Sequence, residues 1–138
     1  MRKRTARDSS NRITKNLNGP FSVPADNLLS FEAWTDAEKI VREALAIREK
    51  LEPDAWATFN SKSMLGEALI GQKKYDDAEP LLLAGFSGMK ERADKIPPDY
   101  RSERLTAAID RLIRMYEVLE KKEEAAKWRK ERERILKP

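Results

Sequence analysis

The chain repeats itself, and that constrains its fold more than any other feature. Asp36-Ala37-Glu38 recurs as Asp77-Ala78-Glu79, a shift of 41 positions. The stretch from Leu65 through Gly71-Gln72-Lys73-Lys74-Tyr75 to Ala78 lines up with that from Leu112 through Val118-Leu119-Glu120-Lys121-Lys122 to Ala125, a shift of 47. The longer shift takes in the residues around Pro97-Pro98. Repeats of this length mark stacked helix pairs, because each pair exposes an apolar face that its neighbour covers.

Apolar residues at helical spacing support the same reading. Thr35-Asp36-Ala37-Glu38 has the form of a capping box. From there Ala37, Ile40, Val41, Ala44, Leu45, Ile47 and Leu51 fall on one wide stripe, which Pro53 ends. Asp54 opens a second helix that carries Trp56, Phe59, Met64, Leu65, Ala68, Leu69 and Ile70 to about Lys73. Asp76-Asp77-Ala78-Glu79 is a second capping box, with Pro80 placed in the first turn, where a missing N–H costs least. That third helix, with Leu81, Leu82, Leu83, Phe86 and Met89, is expected to reach about Ala93. Ile96-Pro97-Pro98 breaks the chain, and two further helices are expected over about 99–119 and 123–136. Five helices in 138 residues leave no room for a sheet.

Composition excludes several kinds of chemistry. With no cysteine and no histidine, the chain lacks a thiol nucleophile, a disulfide, the commonest general base and the commonest transition-metal ligand. Paired carboxylates such as Asp76/Asp77 and Glu123/Glu124 fall at helix starts, where negative charge suits the helix dipole. Gly85-Phe86-Ser87-Gly88 lacks the Gly-Lys-Ser/Thr ending of a phosphate loop and falls within an expected helix. No catalytic residue, metal or cofactor is therefore assigned. No apolar run approaches the length of a membrane span, and no signal-peptide core follows the basic start of the chain. A cytoplasmic protein without membrane contact is the expectation.

The formal net charge is +4, and its placement matters more than its sum. Residues 1–15 carry Arg2, Lys3, Arg4, Arg7, Arg12 and Lys15 against Asp8 alone, so the excess of positive charge sits in an N-terminal arm. Residues 1–34, with Gly19, Pro20 and Pro24, read as this arm plus an irregular segment, and residues 35–138 as the helical domain.

Leu65-Gly66, Leu69, Tyr75 and Ala78 resemble the tetratricopeptide repeat, which has Leu-Gly-x-x-Tyr in its first helix and Ala early in its second. Gly66 and Ala78 are small where two helix backbones approach. Ala44-Leu45-Ala46-Ile47-Arg48-Glu49-Lys50 is similar to the longer, kinesin-light-chain-like variant. Leu65-Gly66-Glu67-Ala68-Leu69, Gln72-Lys73-Lys74-Tyr75 and Ala78-Glu79-Pro80-Leu81-Leu82 are similar to repeats appended to bacterial, planctomycete-like serine/threonine kinases, although no kinase motif accompanies them here. The resemblance covers about 36–134 and is closest over 36–90. It implies an all-α fold, an α-α hairpin solenoid wound as a right-handed superhelix. The last pair departs from the pattern: Ile113 stands where a small residue belongs, and Arg129 and Arg132 where apolar or small ones do, as suits a C-terminal cap. The first helix looks like the second member of a pair whose first member is missing, so its open face is expected to be covered by Phe21–Trp34, by a second copy or by a partner.

The resemblance further implies a scaffold that binds a protein or peptide in a concave groove lined by Asn60, Ser63, Glu67, Ile70, Asp110, Arg114 and Glu117. Asn60 is the most suggestive of these, since an amide clamps a peptide backbone with donors and acceptors together. Ordinary solvated helix surface is the competing reading for each. A nucleic-acid-associated regulator working through the basic arm is the alternative function, but the arm lacks interleaved aromatics for stacking, and a solubilising tail is the better reading. A structural fragment of a larger repeat protein is the third.

Overall fold

In the computed structural model, residues 28–137 are described, with side chains from Glu32 onward. The expected arm, and most of the irregular segment that follows it, lie outside the described residues. Five α-helices follow one another: α1 (Leu28–Leu51), α2 (Trp56–Gly71), α3 (Tyr75–Glu91), α4 (Pro98–Val118) and α5 (Lys122–Leu136), with a 3-10 turn at Ala93–Lys95. No strand occurs among the described residues. Each helix packs on the next, and α2 also touches α4.

The helix starts depend on contacts between helices more than on caps. α1 begins at Leu28, so Thr35-Asp36-Ala37-Glu38 lies inside a helix and caps nothing, and the expected boundary at residue 35 falls within α1. Trp34 explains the extension: it is buried against α2, where a Cβ on Gly71 would lie 2.2 Å from its ring. Trp34 and Ala37 form a small cluster with Ala68 and Met64. Likewise α3 starts at Tyr75, its N-cap is Lys74, and no side chain caps it. Pro80 therefore sits in the second turn, and its missing N–H leaves the Asp76 carbonyl without its usual i+4 donor.

The connection into α3 explains why its capping box is unused, and the connection into α5 repeats the same geometry. At the end of α2 the Lys74 N–H bonds the Leu69 carbonyl and the Lys73 N–H the Ile70 carbonyl, each at 2.8 Å. At the end of α4 the Lys121 N–H bonds the Tyr116 carbonyl at 2.8 Å and the Glu120 N–H the Glu117 carbonyl at 3.0 Å. Both are Schellman turns, and their pivot residues Lys73 (φ 64°) and Glu120 (φ 59°) are left-handed. Lys74 and Lys121 each close one helix and open the next, accepting from Ala78 N–H and Ala125 N–H. The two turns match at the sequence shift of 47, so the repeat extends to the backbone.

The core runs through all five helices and includes Val41, Leu45, Leu65, Leu69, Leu82, Met89, Ile96, Ile109, Leu112, Met115 and Ala125. Each large apolar side chain buried here contributes about 1.5–3 kcal/mol. The tightest approach joins α2 and α3. A Cβ on Gly85 would meet the Phe59 carbonyl and the Ser63 nitrogen at 2.8 Å, and one on Gly66 would meet Leu82 at 2.7 Å. The small residues read from the sequence at Gly66 and Ala78 thus stand where the backbones are close.

Polar ties fix the ends of the elements. Thr58, fully buried, donates its hydroxyl to the Glu52 carbonyl at 2.6 Å and secures the α1–α2 turn. Gln72 donates to Glu38 at 2.8 Å. Burial pushes the Glu38 carboxyl up, but the hydrogen bonds from Gln72 and Arg42, with the charge of Lys74, outweigh it and hold the pKa below its ordinary value. The Tyr116 hydroxyl donates to Glu79 at 2.6 Å and joins α4 to α3. Its burial and the Glu79 carboxylate both raise its pKa, so it remains a donor.

The turn geometry makes a direct prediction. A side chain in the left-handed region costs about 1–2 kcal/mol, and glycine escapes this while giving back part of it as unfolded-state entropy. Lys73→Gly and Glu120→Gly should each stabilise the chain by about 0.5 kcal/mol in urea denaturation. A loss of stability in either variant would contradict the turn assignment.

Candidate functional site

α2 and α4 lie side by side, and their facing stripes hold the polar residues that the sequence singles out. Asn60, Ser63 and Glu67 stand at i, i+3 and i+7 on α2, and Asp110, Arg114 and Glu117 at i, i+4 and i+7 on α4, so each set shares one helix side. Between the stripes is a buried charge cluster. Arg111 donates from Nε to Glu67 Oε1 at 2.6 Å and from Nη1 to Ser63 Oγ at 2.9 Å. Arg114 donates from Nη2 to Glu67 Oε2. Both oxygens of Glu67 are thereby engaged, and Glu67 and Arg111 are only 3% and 6% exposed.

This burial corrects part of the expected groove. Ser63 and Glu67 do not line an open surface: they are the inner half of an α2–α4 contact. Ile70 is also buried and belongs to the core. Asn60 is half-buried, with its amide toward the Met64 sulfur at 3.7 Å. Asp110, Arg114 and Glu117 are exposed, but each is engaged by a neighbouring helix. Asp110 accepts from Arg132 at 2.7 Å, Glu117 pairs with Arg129, and Arg114 reaches Glu67. The two arginines that depart from the repeat pattern in α5 thus tie α5 to α4. Accessible side chains on this face reduce to Asn60, Asp110, Arg114 and Glu117.

Arg111 is the residue that sequence reasoning missed. At the shift of 47 it occupies the place that apolar Met64 holds in the preceding hairpin, and a charge at a normally apolar position was the available signal.

A second concavity lies between α3 and α5, with a volume of about 600 Å³ and a lining that includes Phe86, Trp128, Lys90, Lys127, Glu131 and Arg134. Trp128 packs edge to face on Phe86, ring centres 5.3 Å apart, and so anchors α5 on α3. Lys127 and Glu131, four residues apart on α5, do not pair. Glu131 is instead turned inward, accepting from Lys90 at 2.7 Å and pairing with Arg134. Its charge is already balanced by two cations, so the cleft is a packed helix contact more than a prepared ligand site.

No helix among the described residues is long and apolar enough to cross a membrane. Comparison with family models, with curated proteins and with solved structures finds no match. The resemblance to tetratricopeptide repeats therefore rests on the residues of this chain alone.

The buried cluster has a measurable consequence. Glu67→Ala leaves Arg111 buried without its carboxylate and should cost about 3–5 kcal/mol. Replacing the pair with apolar groups, Glu67→Leu with Arg111→Met, should stay within about 2 kcal/mol of wild type, since the Arg114 side chain is 45% exposed and already reaches water. Urea denaturation of the three proteins checks this, and a cost below about 1 kcal/mol for Glu67→Ala would remove the cluster from the interactions that hold α2 to α4.

Proposed function

We propose that the chain is a non-enzymatic protein-interaction module, a short tetratricopeptide-like stack that holds a peptide or partner helix on its α2–α4 face. The observation that carries this reading is the equivalence of the two hairpins. α2–α3 and α4–α5 close with the same turn at the same sequence shift, and α2, the first helix of one pair, lies against α4, the first of the next. Stacking of that kind extends as a right-handed superhelix in which first helices share one side.

On that side a ligand meets the Asn60 amide and a ladder of ion pairs, Asp110 with Arg132 and Glu117 with Arg129. Exposed pairs of this kind contribute little to folding, about 0–1 kcal/mol each, so they exchange partners at small cost. An extended peptide or helix carrying both signs of charge fits such a ladder, with apolar contact supplying the rest.

The test begins with selection of binders from a displayed random peptide library, followed by titration of the isotopically labelled chain. Backbone amide signals of Asn60, Asp110, Arg114 and Glu117 should shift together. Asn60→Ala combined with Asp110→Ala should weaken binding about tenfold, or about 1.4 kcal/mol. Shifts confined to Phe86 and Trp128, or no selected binder, would refute the reading.

A further inference from the structure

α1 carries more apolar surface than α2 covers. Ala37, Val41 and Leu45 are buried against the rest of the chain, whereas Ile47 and Leu51 are 59% and 74% exposed. Ala44 is also exposed and Ile40 is half-buried. The sequence joins all seven into one stripe; the structure divides them into a covered line and an open one. Ile40, Ala44, Ile47 and Leu51 recur at steps of 4, 3 and 4, the seam spacing of a coiled coil.

Those steps read the same in both directions. When two copies of α1 lie antiparallel about a two-fold axis through the middle of the stripe, Ile40 meets Leu51 of the other copy and Ala44 meets Ile47. Each large side chain at the centre thus faces a small one. A two-fold axis also brings the same flank of each helix together. The flank away from α2 carries Glu43 and Lys50, one helical heptad apart. Antiparallel pairing sets Glu43 of each copy beside Lys50 of the other, and does so twice. Both are exposed, and neither has an ion-pair partner among the described residues.

We propose that the open stripe of α1 is a self-association surface, occupied by α1 of a second copy of this chain in an antiparallel, two-fold arrangement. Ile40–Leu51 spans about 16 Å of helix, far less than the roughly 800 Å² per partner of a standard stable interface requires. The association is accordingly weak and concentration-dependent. It uses a different helix from the α2–α4 face, so either reading stands if the other fails.

Sedimentation equilibrium of the full chain, from about 10 µM to about 1 mM, provides the test. The expected result is an average mass rising from 15.9 kDa toward twice that value. Ile47→Glu should remain monomeric throughout, with an unchanged helical circular dichroism spectrum because Ile47 is exposed in the monomer. Glu43→Lys and Lys50→Glu should each weaken dimerisation about three- to tenfold, since each replaces two attractions with two repulsions. The double variant Glu43→Lys/Lys50→Glu should restore it, which no parallel or unrelated contact would produce. The proposal is overturned by a wild-type chain that stays monomeric, by a dimer indifferent to Ile47→Glu, or by a double variant no better than the singles. Deletion of residues 1–27 that converts a monomer into a dimer would assign the stripe to the chain's own N-terminal segment, which also overturns it.

Discussion

The close approach of α2 and α3 sets the frame on which the other helices are placed. Gly85 and Gly66 remove the side chains that would hold the two backbones apart, and the three-residue turn at Gln72–Lys74 leaves no slack with which to separate them. Gly88 accepts the Phe59 ring in the same way, and the Arg92 guanidinium lies over that ring, 4.4 Å from its centre, while bonding the Asp54 carbonyl at 2.6 Å. The α1–α2 loop is thus anchored to the end of α3. The second hairpin has no such glycines: Ile113, Arg129 and Arg132 stand at the positions equivalent to Gly66, Leu82 and Gly85. Its buried side is apolar, with Leu112, Tyr116 and Ala125 in the core, and the exposed pairs of Arg129 and Arg132 with Glu117 and Asp110 add a surface tie. One turn geometry therefore serves two hairpins, one closed on glycines and one without them.

Placing α4 beside α2 raises a different problem, because apolar contact alone does not specify how far one helix slides along the other. The Ser63–Arg111–Glu67–Arg114 cluster specifies it. A register shift by one turn would leave Glu67 and Arg111 buried apart, and an uncompensated buried charge costs several kcal/mol. The cluster need not add net stability over an apolar replacement to act in this way; it makes the alternatives worse. Tyr116 and Glu79 supply a second such tie between α4 and α3.

Much of this was readable in the sequence, for reasons that differ by element. The ends of α2, α4 and α5 fall within a residue or two of expectation because Pro53, Pro97-Pro98 and the short charged breaks terminate helices by local chemistry. α1 and α3 start earlier than their apparent capping boxes because Trp34 on Gly71 and the dual role of Lys74 are settled by neighbouring structure. The site was less legible. The resemblance placed Asn60, Ser63 and Glu67 together on α2, and they do share one side of it, but a helical stripe does not reveal which of its polar members another helix will cover. Ser63 and Glu67 are covered because Arg111 lies more than forty residues further along, a long-range pairing that local periodicity does not encode.

The covered and open apolar lines of α1 also bear on how the proposed stack ends among the described residues. A repeat array must present a polar outer face at each end or find a partner there. α5 satisfies the first condition, since Lys127, Lys130, Glu133 and Arg134 are exposed on it. α1 does not, since Ile47 and Leu51 face outward. Growth from one molecule to the next by docking α1 on α5 would set its apolar line against the charges of Lys127, Lys130 and Glu133, and the cost of desolvating them opposes open-ended filaments. The proposed pairing of α1 with itself instead sets the opposite charges of Glu43 and Lys50 side by side. The asymmetry between the two ends thus favours a closed pair over a fibre.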